Sequence, residues 1–135
     1  MKAQVAMEYV MMIGILLFIT IPVFYYALSQ SQESTRTSQA YDAVNAIANV
    51  ADNVYALGPG NKREVWVNIP RGVTSTYLQD NTIKITLSIY GGNSDFVALT
   101  KANITTASEL PSDQGRYKMR IETLDSGLVE VSYTE

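Results

Sequence analysis

Carboxylates are the only side chains here suited to acid–base or metal chemistry, because the chain has neither His nor Cys. That removes the commonest general base, the commonest metal ligand, every thiolate site and every disulfide. Glu109 and Asp113 flank Pro111, and Glu122, Asp125 and Glu130 cluster near the end of the sequence. Paired carboxylates can exchange protons or hold calcium. No calcium-loop spacing is present, however, and nothing in the pattern encloses these groups. They read as solvated surface charge, so no enzymatic activity, no cofactor and no metal is expected.

The basic residues are equally unassertive. Lys62-Arg63 and Arg116-Lys118-Arg120 are the basic groupings, with acidic residues interspersed and a net charge of -3. No phosphate track and no nucleic-acid partner is expected. Gly91-Gly92 reads as a turn and not as a phosphate loop. Asn103-Ile104-Thr105 is an N-glycosylation sequon, which matters only if this part of the chain is exported.

Glu8 is different, because of what surrounds it. No charged residue occurs between Glu8 and Glu33, and Tyr9 to Leu28 reads YVMMIGILLFITIPVFYYAL. A carboxylate at the mouth of such a run costs several kcal/mol if it is dehydrated and unpaired (about 2.5–3.5 on insertion scales). Either it remains among lipid headgroups and is tolerated, or it has a partner.

The run itself constrains the elements around it. A helix apolar on every face must be buried in protein or in lipid. At 1.5 Å per residue, 20 residues reach about 30 Å, the thickness of a bilayer's hydrocarbon core. A chain of 135 residues cannot wrap that rod itself. The rod therefore belongs in a membrane, or in a core supplied by other copies. Gly14 permits close helix–helix approach. Pro22 removes one helical hydrogen bond, which membrane and bundled helices tolerate. Lys2 before the run places the N-terminus in the cytoplasm and the rest outside.

Beyond a polar stretch over 29–39, Tyr41, Val44, Ile47, Ala48, Ala51, Val54, Tyr55 and Leu57 recur at spacings of three and four. That predicts an amphipathic helix, stopped by Gly58-Pro59-Gly60-Asn61. From Glu64 the apolar period becomes two, at Val65/Val67/Ile69, Ile83/Ile85/Leu87/Ile89, Met119/Ile121/Thr123 and Val129/Val131/Tyr133. Val73–Leu78 and Phe96–Leu99 are weaker strand candidates. Asp80-Asn81, Gly91-Gly92-Asn93 and Asp125-Ser126-Gly127 read as turns, the last as a hairpin. The expected fold is α+β. One long helix, apolar in its first half and amphipathic in its second, packs on a C-terminal antiparallel sheet of five or six strands.

Lys2-Ala3-Gln4-Val5-Ala6-Met7-Glu8-Tyr9, followed by the apolar run, resembles the class III signal peptide of archaeal type IV pilins. Ala3 stands where Gly is common, and Ala6 where Ser is common. The resemblance implies that a prepilin peptidase cuts between Ala3 and Gln4, removing residues 1–3. Residues 4–58 would then form the filament-core and stem helix, and 59–135 a surface-exposed head. It also gives Glu8 a partner, the new α-amino group at Gln4 of a neighbouring subunit, and it places Tyr9, Gly14 and Pro22 in the assembling rod. The implied function is a structural subunit of an extracellular adhesion filament, membrane-inserted as a precursor and glycosylated at Asn103. A prepilin peptidase, an assembly ATPase and a polytopic platform protein would be its partners. The alternatives are a minor pilin, or a single-copy membrane-anchored surface domain. A secretory signal cut after Ser29 fits less well, because the apolar run exceeds the usual h-region of about 7–15 residues.

Overall fold

A computed structural model describes residues 2–89 and 91–134, with the side chains of Lys2 and Ala3 outside the described set. One helix, α1 (Lys2–Leu57), precedes five strands: β1 (Lys62–Ile69), β2 (Val73–Ile89), β3 (Gly92–Ile104), β4 (Gly115–Thr123) and β5 (Val129–Thr134). The chain divides into two compact units, Met1–Thr35 and Arg36–Glu135. The expected α+β fold is thus observed. The polar 29–39 stretch is helical throughout, which its lack of Gly and Pro allows.

In the second unit, the C-terminal part of α1 buries Ala40, Ala43, Val44, Ile47, Ala48, Ala51 and Val54 in one core with the sheet. Tyr41, Tyr55 and Leu57, expected on this stripe, are instead exposed. At about 100° per residue, Tyr41 points roughly 120° away from Ile47. The small residues Ala40 and Ala43 take its place and let the helix lie close. Gly58, at φ 87°, ends the helix, and the Asn61 side-chain amide donates to the Leu57 and Gly58 carbonyls at 3.0 Å each. A glycine with positive φ just past the last turn is the expected stop. Gly60 N–H then donates to Thr123 C=O and Thr123 N–H to Asn61 C=O, which joins the helix end to β4.

The sheet order is β1-β4-β5-β3-β2. The pairings β1–β4, β4–β5 and β2–β3 are antiparallel. The fourth, β3–β5, is parallel through Ile104 and Val129, so the sheet is mixed and not purely antiparallel. The hairpin at Asp125-Ser126-Gly127 sets the direction of β5 against β4. β5 then fills the slot beside β3, where the directions coincide. Alternation dictates which face of a strand is buried but is silent on its neighbour. Below that short contact, irregular chain replaces the ladder: Glu109 N–H donates to Val131 C=O, and Val131 N–H donates to Ser108 Oγ.

Asp80-Asn81 is not a turn. It lies inside the 17-residue β2, where the register jumps from Asp80↔Ile104 to Thr82↔Leu99. Asp80 adopts φ 54°, and the Asn81 amide donates to the Thr100 and Ala102 carbonyls of the bulging partner strand. Asp and Asn favour both turns and bulges for one reason, since they tolerate left-handed backbone and bond to nearby main chain.

A polar clamp on the same bulge holds the helix. The Asp52 carboxylate accepts from the Thr100 hydroxyl and, at 2.7 Å, from Lys101 N–H. Thr100 Oγ1 in turn accepts from Ala102 N–H at 2.9 Å. Bonds to a charged acceptor contribute more than neutral ones, and the Thr100 hydroxyl is buried. Asp52→Ala should therefore destabilise the fold by about 1–3 kcal/mol, read as a lower urea midpoint at unchanged slope.

Candidate functional site: an apolar helix bearing one carboxylate

Every residue from 4 to 30 except Thr20 is exposed in the chain as it stands. Val10 is 70% exposed, Phe18 81% and Phe24 65%, on different sides of the helix. Among the described residues, this is the one helix long and apolar enough to cross a membrane, with mean hydropathy 2.2. Such a helix is consistent with a membrane anchor or an export signal. The core of the second unit takes its helical residues from Ala43 onward.

Gln4, Glu8, Tyr9, Gly14 and Pro22 all lie on this helix and all are exposed. The expected cut at Ala3–Gln4 falls within the helix, with the Ala3 side chain outside the described residues. Glu8 borders a shallow hollow with Val5, Tyr9 and Met12, so its carboxylate sits among apolar neighbours on its own helix face. An added Cβ at Gly14 meets nothing within 4 Å, so within the chain this glycine is not needed for space. Pro22 lies inside the unbroken helix and leaves the Phe18 carbonyl without its usual donor. Thr20 Oγ1 donates to Leu16 C=O at 2.7 Å, which satisfies a hydroxyl that would be costly to bury bare.

In the second unit, Asn103 is exposed near the end of β3, beside the bulge. Glu109, Asp113, Asp125 and the strand residues Glu122 and Glu130 are exposed or half-exposed, and no group of three or more potential metal-ligating side chains occurs among the described residues. The basic residues of β4 alternate outward. Lys118 pairs with Glu64, and Arg116 lies 5.0 Å from the Trp66 ring centre. This is the strand surface the sequence suggested.

Two surface carboxylates are held below their ordinary range. The Lys118 ammonium, hydrogen-bonded to Glu64, lowers that group. The Thr86 hydroxyl donates to Asp95 at 2.7 Å and is the leading cause for Asp95, with Lys84 at 3.6 Å adding to it. A carboxylate with a depressed folded-state pKa contributes stability above its unfolded pKa, and that contribution is lost as pH falls through the folded value. Stability should therefore decline below about pH 4. Asp95→Asn should show a shallower acid decline in its urea midpoint than the parent chain.

No protein-family model, no curated protein and no solved structure matches this chain.

Proposed function

We propose that the chain is a structural subunit of an extracellular, type IV pilus-like filament, inserted in the membrane as a precursor. The observation that supports this reading is the first part of α1: it is apolar on all faces over Tyr9–Leu28, and every residue from 4 to 30 except Thr20 is exposed. Such a surface needs a cover. Lipid supplies it first, and other copies of the same helix supply it after assembly. The helix leaves lipid, where it is already out of water, so packing and polar pairing supply the net gain. Identical head-to-tail contacts that do not close into a ring yield an open helical fibre. Many copies of the β unit on one fibre give avidity in attachment even where each contact is weak.

The resemblance around Ala3-Gln4 and Glu8-Tyr9 supports this over an ordinary anchor. Cutting before Gln4 creates an α-amino group that is largely protonated near neutral pH. Glu8 of a neighbouring subunit is its complement. The exposed Asn103 sequon fits a surface location.

Edman sequencing of the mature chain from the producing cells tests the reading. The expected first residue is Gln4, in a sheared fibre fraction. A first residue near Gln30 would identify a removed secretory signal and overturn the proposal. An intact N-terminus that stays with the membrane would favour a single-copy anchored domain.

A further inference from the structure

The apolar half of α1 carries a backbone acceptor that its own helix does not serve. Pro22 has no N–H to give to the Phe18 carbonyl, and its ring crowds that oxygen. The neighbouring hydroxyl is already spent, since Thr20 Oγ1 donates to Leu16 C=O at 2.7 Å. Phe18 lies midway along the Tyr9–Leu28 run, where neither lipid nor a packed core offers water. A donor from another molecule is needed there.

The same helix carries unused donors. Tyr9, Tyr25 and Tyr26 are 63%, 77% and 70% exposed, and none makes a hydrogen bond among the described residues. Helical geometry separates them. Tyr26 stands 18 residues beyond Glu8, which is five full turns at about 3.6 residues each. Both side chains therefore share one face, about 27 Å apart. Gln4 and Pro22 are also 18 residues apart and share a second face, about 40° from the first. Tyr25 points about 100° away from Tyr26, and Tyr9 lies about 20 Å from Pro22 along the axis.

A neighbour displaced by four residues, about 6 Å, brings its Gln4 level with Glu8. The same displacement brings its Pro22 level with Tyr26. Helical side chains lean toward the N-terminus, so the Tyr26 ring slopes from that level toward the neighbour's Phe18 carbonyl. We propose that the Tyr26 hydroxyl donates to the Phe18 carbonyl of the adjacent copy, and that this bond and the Gln4–Glu8 charge pair lock one axial register from the two ends of the rod. The proposal rests on the filament reading above. Charge complementarity selects a second copy as the occupant of this face. A cut copy carries a cation for Glu8 and, five turns further on, a carbonyl that lacks its helical donor. Lipid offers no such pair at that spacing.

The test uses full-length variants in the producing cells, with sheared fibre and membrane pool compared by immunoblot. Tyr26→Phe removes only the hydroxyl and should lower fibre yield about three- to tenfold, the scale of one interhelical hydrogen bond per contact. Tyr25→Phe should leave the yield unchanged. Pro22→Ala restores an N–H to the Phe18 carbonyl within the helix, so Tyr26→Phe should cost nothing further in that background. Electron cryomicroscopy of the parent fibre should place the Tyr26 hydroxyl within about 3 Å of the adjacent copy's Phe18 carbonyl. Unchanged yield from Tyr26→Phe, an equal loss from Tyr25→Phe, or an undiminished loss in the Pro22→Ala background would overturn the proposal. So would a map that holds hydroxyl and carbonyl more than about 4 Å apart. If Pro22→Ala yields no fibre, the parent map and the comparison with Tyr25→Phe decide. Each of these failures leaves the filament reading standing while Tyr9–Leu28 packs in the core, whereas absence of parent fibres overturns both.

Discussion

Replacing Glu8 with Ala should leave a chain that inserts in the membrane and is processed, yet yields at least about tenfold less sheared fibre; a loss of about 1.4 kcal/mol per contact is enough for that. The argument is one of compensation. In a filament core of low dielectric, a protonated α-amino group at Gln4 and the Glu8 carboxylate stabilise each other only in one axial register. A slip leaves two uncompensated charges, and breaking a buried pair by removing one partner costs about 3–5 kcal/mol. The Glu8 side chain is exposed among Val5, Tyr9 and Met12, so nothing in its own subunit occupies it. Glu8→Gln separates charge from shape. It keeps the length and hydrogen-bonding capacity and should also fail, whereas Glu8→Asp should assemble in part. Quantitative immunoblots of sheared and membrane fractions give the ratio. Normal fibre yield from Glu8→Gln would eliminate the charge-pair role.

The second large effect belongs to the β unit and is independent of assembly. Ile47 is fully buried at the centre of the helix stripe. Ile47→Asp would place a carboxylate among Ile83, Ile85, Met119 and Ile121, all fully buried in the same core. No cation lies in that cluster, so the penalty should reach about 3–5 kcal/mol, a large share of the stability of a domain this size. Ile47→Ala, which leaves a cavity and no charge, should cost about 2–5 kcal/mol. Tyr41→Asp is the matched control. Tyr41 shares the apolar spacing in the sequence but is 59% exposed, so the change should stay within about 0.5 kcal/mol. Urea titrations of the three variants followed by far-ultraviolet circular dichroism decide the helix phase. Similar losses from Tyr41→Asp and Ile47→Asp would place the buried stripe elsewhere.

That pair of residues shows where reading the sequence succeeds and where it stops. Val44, Ile47, Ala51 and Val54 fix a helical period unambiguously. Tyr41 and Leu57 fit the same spacing, and only packing distinguishes a stripe of small residues at Ala40 and Ala43 from one of large ones. The alternation at Ile83/Ile85/Leu87 and Met119/Ile121/Thr123 was legible because period two leaves no second interpretation over such lengths. Asp80-Asn81 was not, since its chemistry suits a turn and a bulge equally. Nor does alternation reveal that β5 lies between β4 and β3. Asp52 escaped notice as one polar residue among several on a helix, and its partners are 48 and 49 positions away. By contrast, Gln4, Glu8, Tyr9 and the run after them were legible as a local pattern, which needs no tertiary contact to recognise.

Electron cryomicroscopy of fibres sheared from the producing cells tests the filament proposal most directly. The expected map has a core of packed helices, with Tyr9–Leu28 of each copy surrounded by the same segment of others and Glu8 of one copy beside the Gln4 amino group of the next. Fibres whose core excludes this segment, or a secreted single-copy protein that begins near Gln30, would contradict the account.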